Sequence, residues 1–194
     1  MNRRWTRCLA AALVFVGGLA LGCDSDAGEM PPGKQAVFLA RVIAYDGNLK
    51  PRAGEAINIG ILVKKGDSGS ETMSDGMVRA FAALGAMTVL GLPVKVSRLD
   101  FSGRDTLDRA IKDGGIDTLY VCSGLDSNLA DIRSVARARK VMTVASSEPQ
   151  IRAGISLGVF IVDEKNIIYV NLEASREEGI SFGPDFLRLA TVLK

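Results

Sequence analysis

The chain has 194 residues, 47% apolar and 24% charged, with a formal net charge of +2. These values fit one globular domain with a processed or tethered end, and exclude a largely disordered chain and a coiled coil. The sequence has no histidine, which removes His-dependent triads, HExxH zinc sites and the usual proton shuttle.

Residues 1–22 read as an export signal. Arg3, Arg4 and Arg7 precede an apolar run of 14 residues, 8–21, broken only by Gly17 and Gly18. A membrane-spanning helix needs about 20 apolar residues, so the run is short for a permanent span. It ends in Leu19, Ala20, Leu21, Gly22 and Cys23. This ending is similar to a bacterial lipobox, with Ala20 where leucine is usual. In that reading Cys23 becomes the first mature residue and carries acyl chains on its sulfur and amine. Several chains make a stable anchor, at roughly 0.8 kcal/mol per buried methylene. Asp24 follows and resembles the inner-membrane retention signal of enteric lipoproteins. Loss of the three arginines leaves 21 basic against 22 acidic side chains, a net charge of −1. A strongly basic nucleic-acid binder is therefore not expected.

Residues 24–35 read as a tether, polar and holding Pro31 and Pro32. Gly28, Gly33 and Lys34 have phosphate-loop spacing, but Gln35 stands where Ser or Thr would bind magnesium, and no strand precedes them. The segment does not make a phosphate loop. The mature domain is expected over 36–194. Cys8 leaves with the signal and Cys23 is acylated, so only Cys122 remains and no internal disulfide forms. Cys122 closes an apolar segment and reads as a small buried hydrophobe.

In chain order, 36–45 is apolar on most sides and predicts a buried helix. The branched run 57–63 predicts a buried strand, and 64–69 a loop. Ser74 and Asp75 can cap a helix reaching about residue 90, with Met77, Phe81, Leu84 and Thr88 on one face. Pro93 opens a strand over 94–99. A short amphipathic helix follows over 104–112, ended by Gly114 and Gly115. A strand over 117–122 and a helix over 126–138 come next. The exposed face of that helix is expected to carry Asp131, Arg133, Arg137 and Arg139. A strand over 141–145 completes the repeat. Alternating strands and helices predict an α/β fold, a mostly parallel sheet flanked by helices. The ending differs. Strands over 155–162 and 167–172 form an antiparallel hairpin around 163–166. Two closing helices follow, 174–178 ended by Gly179, and 184–193 opened by Pro184. Phe38, Val42, Val63, Val121, Phe160, Phe186 and Leu189 are expected in the core.

The C-terminal third carries a signature. Gly154, Ile155, Ser156 and Leu157 lead the hairpin. Tyr169 and Asn171 form an aromatic-x-Asn segment, followed by Ala174, Gly179 and the run Phe186, Leu187, Arg188, Leu189, Ala190. Together with Val37, Phe38, Leu39, Ala40 and Arg41 in the first helix, this resembles the YfiR-like family of periplasmic proteins over residues 35–194. Tyr45, Asp46 and Gly47 stand where that family often has Trp-Pro, and its disulfides have no counterpart here. Read as residues alone, Asn171 is a helix cap and Gly179 a left-handed helix end. Leu187, Leu189 and Ala190 read as core packing. Gly154, Asn171, Gly179, Leu187, Leu189 and Ala190 thus read as fold signature.

The resemblance implies a non-enzymatic envelope signalling regulator. Its partner would be the periplasmic sensor domain of an inner-membrane protein, a diguanylate cyclase or a histidine kinase, and a homodimer is compatible with it. Tethering would raise the effective concentration near such a partner. The alternative is a small-ligand-binding lipoprotein. In open α/β sheets ligands sit beyond the carboxyl ends of the strands, where Lys64, Ser123, Gly124, Ser146 and Ser147 fall. The simpler role of the serines is in caps and turns. Catalysis is not expected: Gly-x-Ser-x-Gly and Cys–His pairs are missing. Asp100, Asp105, Asp108, Asp113 and Asp117 read as a solvated surface, and Asp163 with Glu164 as a turn. No cofactor or metal is implied.

Overall fold

A computed structural model describes residues 30–193. The export signal, Cys23 and the first part of the tether lie outside the described residues. The elements are α1 (Pro32–Ile43), α2 (Leu49–Ala53), β1 (Ile57–Val63), α3 (Ser68–Ala83), β2 (Thr88–Val89), β3 (Leu92–Asp100), α4 (Arg104–Gly114) and β4 (Thr118–Val121). A single 3-10 turn then leads into α5 (Leu129–Arg139), followed by β5 (Met142–Ala145), α6 (Glu148–Arg152), β6 (Leu157–Val162), β7 (Lys165–Asn171), α7 (Leu172–Glu177), α8 (Pro184–Leu189) and β8 (Ala190–Leu193). The eight strands form one sheet in the order β2-β3-β1-β4-β5-β6-β7-β8. β2–β3 and β6–β7 are antiparallel, and the other pairs are parallel. The protein is therefore α/β, with a mostly parallel sheet and a C-terminal antiparallel hairpin.

Central strands covered on both faces need apolar residues at nearly every position. β1, INIGILV, meets this need, and Ile57, Ile59 and Ile61 point to one face while Leu62 points to the other. On the first face they meet Leu39 and Ile43 of α1 and Met77 and Phe81 of α3. On the second, Leu62 joins Leu119 and Val121 of β4, Leu107 and Ile111 of α4, and Ile132 and Val135 of α5. Cys122 is fully buried. Among the described residues no helix is long and apolar enough to cross a membrane.

The structure moves several expected boundaries. α1 begins at Pro32, inside the expected tether, with Met30 and Gln35 buried. A proline at the first helical position loses no needed hydrogen bond, so Pro31-Pro32 opens a helix here. α3 begins at Ser68, six residues before the expected start, because Asp67 caps it by accepting from the Ser70 N–H at 2.9 Å. It ends at Ala83, and Thr88 belongs to a short strand. The hairpin turn is two residues, not four: Asp163 and Glu164 have φ of 48° and 63°, as a tight two-residue turn requires. The expected last helix stops at Leu189, and Ala190–Leu193 becomes an edge strand parallel to β7. Thr191 and Val192 are β-branched and favour this. Leu189 is correspondingly 67% exposed, not core, while Val42, Val63, Val121, Phe160 and Phe186 are buried and Phe38 packs partly against the core.

The two ends of the domain are fastened by a buried carboxylate. Asp46, fully buried at its side chain, pairs with Arg52 at 3.0 Å. It also accepts from the backbone N–H groups of Asn48 and Ser181, each at 2.9 Å. Gly47 N–H donates to the Ser181 carbonyl, and Tyr45 stacks on Phe186 with ring centroids 4.7 Å apart. Removing one partner of a buried, hydrogen-bonded pair costs about 3–5 kcal/mol. Asp46→Ala is expected to lower the unfolding free energy by about that amount in urea denaturation. Asp185→Ala, at an exposed pair with Arg188, should leave the midpoint unchanged. Equal effects would contradict the clamp.

Candidate functional site

The order β3-β1-β4 places the topological switch of the sheet between β1 and β4. The chain leaves β1 into α3 on one face and, after β4, into α5 on the other. Crevices at such points are the usual ligand positions in open α/β sheets. A cleft of about 430 Å³ lies there, lined by Ser68, Gly69, Thr72 and Met73 of α3, Ser123 after β4, and Met30, Pro32 and Gln35 at the N-terminal side. The lining offers hydroxyls and a carboxamide on an apolar floor.

Local hydrogen bonds fix this corner. Asp67 caps α3, the Glu71 carboxylate accepts from Gly66 N–H at 3.0 Å, and Lys64 N–H donates to Ser70 Oγ at 2.9 Å. The Asp67 carboxylate lies under Gly124, where a Cβ would come within 2.8 Å of Oδ2, and Gly124 has φ +79°. Both the backbone angle and the close approach demand glycine at this position.

Of the five residues predicted at the carboxyl edge, Lys64, Ser123 and Gly124 meet around the β1/β4 switch. Ser146 and Ser147 do not join them. Ser146 is buried, and its N–H and Oγ both reach Gln150 Oε1, at 3.0 and 3.3 Å. Gln150 Nε2 in turn donates to the Cys122 carbonyl at 3.2 Å. Ser147 precedes α6 without a side-chain capping bond. The cleft residues contributed by α3 and the N-terminal side were not foreseen. Their signal was Asp67 followed by Glu71, an early helix start. Among the described residues no group of three or more His, Cys, Asp or Glu is placed to hold a metal ion.

The signature residues of the C-terminal third build structure. Asn171 Oδ1 accepts from Ala174 N–H at 3.0 Å, capping α7, and its Nδ2 donates to the Ile151 carbonyl at 3.2 Å. Gly179 has φ +76° and ends α7, and its carbonyl accepts from Asn48 Nδ2 at 2.9 Å. Leu187 and Ala190 pack partly against the core, and Gly154 has φ +99°.

Beside them sits a carboxylate that sequence reading missed. Glu178 is fully buried, accepting from Thr143 N–H at 2.9 Å and meeting Thr143 Oγ1 at 2.6 Å. Thr143 also contacts Ser156, tying β5, β6 and the end of α7 together. Burial raises the Glu178 pKa to about 7, against the opposing pull of its hydrogen bonds to Ser156 and Thr143. The fold therefore favours the protonated form. That stabilisation is complete below the ordinary glutamate range and is lost as pH rises through about 7.

This architecture defines an α/β protein with a mostly parallel sheet. A conserved domain protein from Vibrio cholerae superposes with a TM-score of 0.61 at 13% identity, covering 86% of this chain and 62% of that one. The ABC domain from Streptococcus pneumonia in complex with L-Trp gives 0.59 at 13% identity, covering 84% and 60%. A ligand-free, open substrate-binding protein with adhesive properties from Clostridium difficile gives 0.54 at 17%, covering 76% and 57%. The chain thus spans about three-fifths of the length of these structures, and the likeness shows the fold alone. No curated protein matches the sequence. Residues 35–191 match the model of the YfiR/HmsC-like family, DUF4154, and the chain belongs to that family. Membership supports a periplasmic regulatory role.

The Glu178 network gives a direct test. Melting temperatures of the native chain and Glu178→Gln, compared from about pH 5 to about pH 8, should shift in favour of the Gln variant as pH rises. A gap independent of pH would contradict the assignment.

Proposed function

We propose that the protein is a lipid-tethered envelope regulator that binds the extracytoplasmic sensor domain of an inner-membrane protein, a diguanylate cyclase or a histidine kinase. The observation that carries this reading is the family match over residues 35–191. The sequence before the domain supports the tether, through Cys23 and the short apolar run. Anchoring at the inner membrane by Cys23 and Asp24 would confine the search for such a partner to two dimensions. Holding or releasing the sensor domain would then shift a pre-existing equilibrium between its active and inactive states.

A second reading rests on the switch cleft. Its volume of about 430 Å³ suits a small molecule, and Ser68, Thr72 and Ser123 supply hydroxyls. A ligand there would bridge α3, the β4 loop and the start of α1. The two readings combine if the ligand binds the free and sensor-bound forms unequally, since only differential affinity moves an equilibrium.

The test is a pull-down from native membranes in mild detergent, with the lipidated full chain as bait. The expected result is one membrane protein with an extracytoplasmic sensor domain, lost when Cys23→Ala removes the anchor or recovered in much lower yield. Its cytoplasmic domain then identifies the output as cyclic-di-GMP or phosphotransfer. Return of envelope background alone would overturn the regulator reading in favour of the ligand-binding one.

A further inference from the structure

A second concavity lies between α5, the end of α6 and α7. It has a volume of about 380 Å³ and is lined mainly by polar groups, among them Arg133 and Arg137 of α5, Arg152 at the end of α6, Gly154 and Glu177. The sequence predicts Arg133 and Arg137 on an exposed helix face, but both are half-buried here.

Two of the three arginines are compensated. Arg137 pairs with Glu177 at 2.7 Å, and Arg152 pairs with Glu148. Arg133 differs. Among the described residues it makes no hydrogen bond and no ion pair, and its Nε is shielded from solvent. Its guanidinium lies face-on against Gly154. A Cβ placed there would fall 2.6 Å from Nε, 2.7 Å from Cζ and 3.0 Å from Nη2. The signature glycine therefore does more than permit φ +99°: it leaves the space in which the Arg133 guanidinium sits.

Holding the Arg133 Nε away from solvent without an acceptor is unfavourable. Arginine offers donors in a planar fork that matches the paired oxygens of a carboxylate or phosphate. The remaining acidic side chain on the lining, Glu173, is exposed at the rim, where water screens it. We infer that this cleft binds a small oxyanion, a carboxylate or phosphate group, with Arg133 as its principal ligand and Arg137 and Arg152 as flanking charge. The inference stands independently of the regulator reading.

Isothermal titration of the detergent-solubilised full chain tests it, with sodium phosphate and sodium acetate as separate probes at ionic strength fixed with sodium chloride. The expected result is saturation in roughly the millimolar range by at least one probe. Saturation by phosphate assigns a phosphoryl group; saturation by acetate alone assigns a carboxylate. Arg133→Gln should weaken binding roughly tenfold or more, with Arg104→Gln on α4 leaving it unchanged. Arg133→Lys, which keeps the charge but loses the fork, should fall between native and Gln, and it preserves the test if the Gln variant does not fold. Saturation by neither probe, or equal saturation in the Arg133 variants, would overturn the inference.

Discussion

The reversal of direction at β1 is the constraint on which the molecule depends. A parallel strand cannot be reached by a tight turn, so each connection must cross a face of the sheet. The chain crosses one face from β1 to β3, then the other on its way back to β4. The loops after β1 and β4 therefore part, and a crevice opens between them. The Asp67 carboxylate spans that crevice, capping α3 on one side and lying under Gly124 on the other. α1 then closes the cleft from the N-terminal side, Pro32 packing against Gly76 of α3. This cleft is thus a consequence of topology, and its hydroxyls come from the first turns of α3 and the loop after β4.

The C-terminal third solves a different problem. β6 and β7 must turn back antiparallel and still be sealed against the parallel sheet. Asn171, Gly179 and Glu178 do this with hydrogen bonds to Ala174, Ile151, Asn48 and Thr143. Asp46 then joins the start of the domain to Ser181. Two of the signature residues, Asn171 and Gly179, take part in this closure. Membership supports a periplasmic regulatory role but does not identify a docking surface. Gly154, another signature residue, lies against Arg133 in the arginine cleft.

The central strands were legible because burial on both faces writes itself as nearly continuous apolar runs, as in Ile57, Ile59, Ile61, Leu62 and Val63. The helix stops were legible where glycine was needed, at Gly115 and Gly179, both left-handed. The misreadings have local causes. Pro31-Pro32 looks like a tether but serves equally well as a helix start. Ala190–Leu193 extends a helical pattern, yet pairing with β7 overrides it and turns Leu189 outward. Of the ligand candidates, the carboxyl-edge rule located Ser123 and Gly124 but could not separate them from Ser146, whose hydroxyl is committed to Gln150. Glu178 and Arg133 were invisible as special residues. A glutamate before a glycine and an arginine on a helix look solvated until Thr143 and Gly154 are brought beside them.

The proposed regulation of a sensor in the same membrane is measured in the cell by genetic epistasis. Cyclic-di-GMP and kinase output would be measured in strains lacking the chain, lacking the sensor that co-purifies with it, and lacking both. The account predicts altered output when the chain alone is lost, and output in the double mutant identical to that of the strain without the sensor. An effect of losing the chain that persists without the sensor would contradict it.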